Sequence, residues 1–247
     1  MRTRRNLRQP WPVAVAVTGV AAALTVGGLA LAHAKPAAVR LSAAASSALP
    51  AHFAAPYLQV SDSDAGDMAA DMAATGLKNY TLAFLTPQSG CTLQWEDGGD
   101  PVGAFTSQVS ALQAAGGNVI ISFGGAGSTD LAQTCTSVTS LTAADANIVS
   151  TTGVNRLDFD VEGSVLSDTA STARRDQALA ALQAQNPNVQ VDFTLAVDPT
   201  GLPTGTGSEY ALLQDAKSKG VKVSGQPDDH GLRRRPERPE RRRIRVP

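Results

Sequence analysis

From His52 to Ser224 the chain repeats one unit: an apolar run, a turn, then an amphipathic run. Strands are expected at His52–Val60, Asn79–Thr86, Asn118–Ser122, Val154–Val161 and Val189–Val197, with a sixth beginning at Val221–Ser224. Helices are expected between them, at Asp62–Thr75, Pro101–Ala115, Leu141–Ser150, Ser167–Gln185 and Ser208–Lys219. Met68, Ala69 and Met72 show the helical spacing in the first of these, and Gly76 stops it. The Val-Ile-Ile core of Asn118–Ser122 is continuous, as a strand buried on both faces requires. Strict alternation of this kind specifies an α/β fold with a parallel sheet and helices outside it. An open doubly wound sheet and a closed barrel both satisfy the pattern. The open dinucleotide-binding form wants Gly-x-Gly-x-x-Gly after its first strand, and this chain has Ser61-Asp62-Ser63-Asp64 there.

Length and charge narrow the field. The chain has 247 residues, and a complete (β/α)8 barrel takes about 250. Its net charge of −1 is an average over unlike parts. Residues 1–40 carry six bases and no acid, residues 41–224 carry seven bases and eighteen acids, and residues 225–247 carry eight arginines and four acids. An acidic body argues against nucleic acid as its ligand.

Residues 1–34 have the three parts of an export signal: basic Met1–Arg8, apolar Trp11–Ala32, and the cleavage pattern Ala32-His33-Ala34. Thr3-Arg4-Arg5-Asn6-Leu7-Arg8 fits a twin-arginine signal, which makes the chain a secreted protein. The alternative is a retained membrane anchor, because the apolar run is long enough to span a bilayer. Residues 35–51 are rich in Ala and Ser and are expected to be a flexible spacer. Cys91 and Cys135 are the only cysteines, and each follows a predicted strand by a few residues. Export permits a disulfide between them, the alternative being two thiols.

Two motifs carry chemistry. Leu157-Asp158-Phe159-Asp160-Val161-Glu162-Gly163 places three carboxyl groups at alternate positions of one strand, so they share a face. Stacked acids inside a sheet do not all ionise, and at least one is expected to keep its proton near neutral pH. Glu162 lies nearest the strand's carboxyl end, where a protonated acid is placed to act as a general acid. A solvated acidic face and a carboxylate metal site are the alternatives, but an inward strand face here should be apolar, and no His supports a metal. The second motif, Ser122-Phe123-Gly124-Gly125, ends the third strand in paired glycines that permit close backbone approach.

Ser-x-Gly-Gly on strand three followed by Asp-x-Asp-x-Glu on strand four resembles glycoside hydrolase family 18, the chitinase and endo-N-acetylglucosaminidase family. That resemblance implies a (β/α)8 TIM barrel and a retaining, substrate-assisted hydrolysis of β-1,4-linked N-acetylglucosamine polymers. It makes Glu162 the proton donor, Asp160 the residue that orients the substrate's acetamido group, and Asp158 its proton-sharing partner. Phe84 matches an aromatic beside the sugar floor or is a core residue. Trp95 stacks on a sugar ring or packs its own loop. Ser122, Gly124 and Gly125 line the same mouth. No cofactor and no metal are implied; the expected partner is chitin or a related glycan, and the expected state is a monomer. Asn155 stands where the family pattern begins with Asp, a position distant from the chemistry. A lectin-like barrel that binds sugar without turnover is the alternative function.

Past Ser224 the pattern breaks. Gly225–Arg233 and the Arg/Pro/Glu-rich residues after it do not read as a strand. Codons for Gly225–Arg233 can be chosen so that a one-base shift spells Val-Asn-Gln-Met-Thr-Met-Asp-Tyr-Gly, which resembles the family's strand-six segment. The expectation is an incomplete barrel of five to six βα units over residues 52–224, with disordered termini, an out-of-frame tail over residues 225–247 and an unstable, inactive product. A basic arm for acidic polymers is the rival reading of the tail.

Overall fold

A computed structural model describes residue 49 and residues 53–61 and 68–224, all within the compact unit Leu41–Pro247. The expected signal, all of the spacer but residue 49, and the tail lie outside the described residues.

The order is β1 (Tyr57–Gln59), α1 (Met68–Thr75), β2 (Asn79–Ser89), β3 (Thr92–Trp95), α2 (Thr106–Ala114), β4 (Asn118–Gly124), α3 (Leu131–Thr134), α4 (Val138–Thr152), β5 (Arg156–Asp160), a 3₁₀ turn (Gly163–Ser167), α5 (Thr169–Gln185), β6 (Gln190–Thr194) and α6 (Glu209–Lys219). The main path of the sheet is β1-β2-β4-β5-β6, every pair on it parallel. The expected sixth strand is reduced to a parallel bridge between Val191 and Val223, closed by Ser224 N–H donating to the Val191 carbonyl at 2.7 Å.

The choice between barrel and open sheet is made by a contact across the interior. Four steps of about 4.8 Å put the edges of a flat five-stranded sheet about 19 Å apart. Here the Tyr57 hydroxyl on β1 lies 2.8 Å from Thr194 Oγ1 on β6. The sheet is therefore strongly curled, and the fold is an incomplete TIM barrel.

Two elements differ from expectation. The segment after β2 is not a loop: β2 runs on to Ser89 and folds back antiparallel into β3, with Leu85 opposite Trp95 and Pro87 opposite Leu93. Cys91 lies in that turn and bonds to Cys135 at the end of α3, with 4.5 Å between the Cα atoms. Closing a loop of 44 residues removes about 4 kcal/mol of unfolded-chain entropy in the loop model. The short α3 was not expected either. It is held by Asp130, whose side chain accepts from Ala132 N–H at 2.7 Å, and by Gln133, which reaches back to the Asp130 N–H at 3.1 Å.

Alternation on the strands builds two faces. Leu157, Phe159, Ile121 and Phe123 pack outward against the helices, and the Phe123 and Phe159 rings stack at 4.8 Å. Helix residues Leu141, Ile148, Leu179, Leu182 and Leu212 complete this layer. Burying each such side chain contributes about 1.5–3 kcal/mol.

The helix layer also holds a buried ionic group. Arg175 on α5 is 1% exposed and donates to Asp130 at 2.8 Å and to Asp176 Oδ1 at 3.2 Å. Asp176 is fully buried and faces Asp215 of α6 through a side-chain hydrogen bond. Burial first, and then the Asp215 carboxyl, push Asp176 up to about 7 despite Arg175. The folded chain thus holds a proton that the unfolded chain gives up near its ordinary value of 3.8. Stability from this group is complete below about pH 4 and is lost as pH rises through 7, a fall on the order of 4 kcal/mol. Asp176→Asn keeps an acceptor for Arg175 and a donor for Asp215. In urea titrations the variant should match the parent near pH 4 and exceed it by several kcal/mol at pH 8; equal stability at both pH values would show that no proton is held there.

Candidate active site

The inner face of β5 carries Arg156, Asp158 and Asp160, and Glu162 follows the strand's end. Register places Ser122 beside Asp158 and Gly124 beside Asp160 on β4, and Thr194 beside Asp160 on β6. Below them Arg156 pairs with Asp192 of β6 through both guanidinium arms, at 2.5 and 2.9 Å, with its charge over the Phe53 ring.

Asp158 is 4% exposed and accepts three hydrogen bonds: from Ser122 Oγ at 2.7 Å and Tyr57 Oη at 2.9 Å on Oδ2, and from Thr194 Oγ1 at 2.9 Å on Oδ1. Burial raises its carboxyl above the ordinary range, and the three hydroxyls oppose that rise. Asp160 has no such shell. It is 8% exposed, and its Oδ1 is buried with no hydrogen-bond partner. Burial, then the Glu162 and Asp158 charges, push it up to about 7. Asp160 is thereby poised to hold a proton near neutral pH and to exchange it with a neighbour.

Glu162 is half-buried and has extended backbone at the head of the 3₁₀ turn, and its side chain makes no capping bond there. It therefore projects from the strand end with its carboxyl uncommitted to the turn. The paired glycines fit the backbone around it. Gly124 has φ +95°, and a Cβ on it would sit 2.2 Å from the Asp160 carbonyl oxygen. Gly125, with φ +91°, donates its N–H to that same oxygen at 3.2 Å, and its bare Cα faces the Phe84 ring. Phe84 is half-buried, 5.7 Å from the exposed Tyr57 ring, so the two rings form an aromatic wall beside the carboxylates.

An acid ladder in a barrel mouth, behind an Ser-x-Gly-Gly strand end, can now be set beside known proteins. A "Probable bifunctional chitinase/lysozyme" of Escherichia coli (strain K12) is 34% identical over 188 residues, covering 72% of this chain and 20% of that protein. Endochitinase 11 of Metarhizium anisopliae is 33% identical over 182 residues, covering 72% of this chain and 34% of its own length. The catalytic domain of a hyperthermophilic chitinase from Pyrococcus furiosus superposes with a TM-score of 0.62 at 32% identity, over 71% of this chain and 56% of that one. No protein-family profile matches. The chain is a chitinase-like member of glycoside hydrolase family 18. It is a glycosidase by ancestry, and it spans about a fifth to a third of the curated relatives it matches.

Of the site residues singled out in this chitinase-like sequence, Asp158, Asp160, Glu162, Ser122, Gly124, Gly125 and Phe84 lie together. Trp95 does not join them. It is 1% exposed, donates from Nε1 to the Val102 carbonyl at 3.2 Å and packs on Phe105 at 5.8 Å. Of its two proposed roles this is the packing one, because a ring closed off by the β2–β3 hairpin has no face for a sugar. Cys91 and Cys135 form the expected bond.

Sequence reasoning missed Tyr57 and Thr194, the two donors from the edge strands. Tyr57→Phe should raise the Asp158 titration further, since it removes a donor that holds the carboxyl down, and should cost about 1 kcal/mol at pH 7. A carbon-detected NMR titration of the Asp158 carboxyl reads the shift; an unchanged or lowered midpoint would remove Tyr57 from the network.

Proposed function

We propose, against the expectation of an inactive product raised by the tail, that this chain cleaves chitin or a related β-1,4-linked N-acetylglucosamine polymer by substrate-assisted hydrolysis with retention. The observation that supports it most is the division of labour on β5: Asp158 locked by three hydroxyls, and Asp160 beside Glu162 with a carboxyl pushed up to about 7.

In this reading Glu162 gives its proton to the glycosidic oxygen as the bond to the anomeric carbon breaks. The acetamido carbonyl oxygen of the same sugar attacks that carbon, so the intermediate is a cyclic oxazolinium and no protein carboxylate becomes covalently attached. Asp160 turns its carboxyl to the acetamido N–H and stabilises the charge that forms there. Its proton passes to Asp158, whose surrounding hydroxyls can each reorient to accept or donate. Water, deprotonated by Glu162, then attacks the anomeric carbon on the face that the leaving group vacated, opposite the acetamido oxygen; the C1–O bond of the oxazolinium breaks and configuration is retained. The relatives' names, chitinase/lysozyme and endochitinase, agree with an N-acetylglucosamine substrate. Secretion, through the signal read in residues 1–34, fits a polymer that cannot enter a cell.

Proton NMR of chitotetraose hydrolysis tests this reading. The first product signal should be the β-anomer, converting later to the equilibrium mixture. An α-anomer appearing first would mean inversion and would exclude substrate assistance.

A further inference from the structure

Arg175 is the only buried cation among the described residues, and it lies in the helix layer, not in the barrel mouth. Taking a guanidinium out of water is costly, and a buried ion pair is often no more stabilising than apolar packing of the same volume. Here the compensation is incomplete: Nη2 has no hydrogen-bond partner among the described residues. Stability alone does not account for an arginine at this place. Its planar fork does something else, which is to hold separate groups at fixed distances.

Its contacts run in two directions. Nη1 donates to Asp130 Oδ2 at 2.8 Å, and Asp130 caps α3 and ends the loop that begins at Gly125. In that loop Ser128 N–H donates to the Gly125 carbonyl at 3.1 Å, and Gly125 N–H donates to the Asp160 carbonyl at 3.2 Å. One arm of the fork therefore leads to the backbone of Asp160. In the other direction, the Arg175 Cζ stands 5.3 Å from the centre of the Phe193 ring on β6. Phe193 lies 6.0 Å from Phe159, the residue between Asp158 and Asp160. The next residue on β6, Thr194, donates to Asp158 at 2.9 Å. Arg175 and the stacked carboxyls thus stand on the two faces of one sheet, joined by short chains of direct contacts. The remaining acids of the group are Asp176, which accepts from Nε, Asp145 of α4, which faces Arg175 and Asp130, and Asp215 of α6, which faces Asp176.

We infer that Arg175 is a positioning residue for the β5 ladder: its fork fixes the α3 loop against β6, and so fixes where Asp160 and Asp158 stand relative to Glu162. It touches no substrate and acts through Asp130 and Phe193. Its effect on rate rests on the role proposed above for those acids; its effect on their placement does not.

A carbon-detected NMR titration of the Asp160 carboxyl reads that placement without requiring turnover. In the parent the midpoint should lie at about 7, held up by burial and by the Glu162 and Asp158 charges. The double variant Asp130→Asn/Arg175→Met removes both ends of the pair, so neither charge is left buried alone, and the asparagine keeps the oxygen that caps α3. Its Asp160 midpoint should fall by about one pH unit or more, because a loosened loop lets water reach the carboxyl. Arg175→Lys keeps the charge but not the fork, and should lower the midpoint as well. Leu182→Ala on the same helix removes a side chain that is 1% exposed, and should lower the melting temperature while leaving the midpoint in place. On a chromogenic chitobioside the double variant should lose about tenfold to a hundredfold in kcat with little change in KM. A parent-like midpoint in the double variant or in Arg175→Lys, an equal fall in Leu182→Ala, or an unchanged kcat in the double variant would overturn the inference. A parent that does not turn over chitobioside would defeat the proposed function instead, and the NMR comparison would still decide whether Arg175 positions Asp160.

Discussion

Glu162→Gln should lower hydrolysis of a chromogenic chitobioside by about 10²–10⁴-fold, the range that a positioned general acid contributes, with no change in melting temperature. The second half of that expectation comes from the local structure. Glu162 is half-buried, heads a 3₁₀ turn without capping it, and has an amide isostere of the same shape. Its side chain caps no backbone N–H of that turn. Asp158 is the opposite case, since its carboxylate ties together β1, β4, β5 and β6 through Tyr57, Ser122 and Thr194. Asp158→Asn replaces an acceptor with a donor and should cost stability as well as rate. The comparison separates proton transfer from scaffolding: a Glu162→Gln protein that keeps a tenth or more of the parent rate would remove Glu162 as the acid.

The β5 ladder was legible because its chemistry is written in one strand: alternation alone puts Asp158 and Asp160 on a common face. Tyr57 and Thr194 were not, because a hydroxyl on an isolated strand carries no sign of its partner. Their role arises only when the sheet curls and brings β1 to β6, a long-range fact that no local pattern encodes. The βα rhythm was legible for the same local reason, while the β2–β3 hairpin was lost because a turn at Gly90-Cys91 reads like any loop. Helix α3 did leave a signal: Asp130 with Gln133 three residues on is a capping box. Trp95 shows the limit of composition arguments. A tryptophan after a barrel strand is placed equally well to stack on sugar or to seal a hairpin, and only burial distinguishes them.

Gly124→Ala should cost more than 3 kcal/mol and abolish hydrolysis along with stability. Two costs act at one position. Alanine at φ +95° is outside its favoured regions, a penalty of about 1–2 kcal/mol. The new methyl would also lie 2.2 Å from the Asp160 carbonyl oxygen, which is backbone and has no rotamer by which to yield. Relief requires β4 and β5 to separate where Gly124 is paired with Asp160, and the Gly125 N–H would lose its acceptor. The strain therefore reaches the carboxyl ladder directly. Gly127→Ala is the internal control: its φ is +76°, but a Cβ there meets nothing within 4 Å. It should lose only the conformational part, about 1 kcal/mol, and keep its activity. Urea denaturation of the two variants reads the difference. Equal losses would mean that the backbones of β4 and β5 do not approach as closely as described, and the glycine pair would then have no bearing on where Asp160 stands.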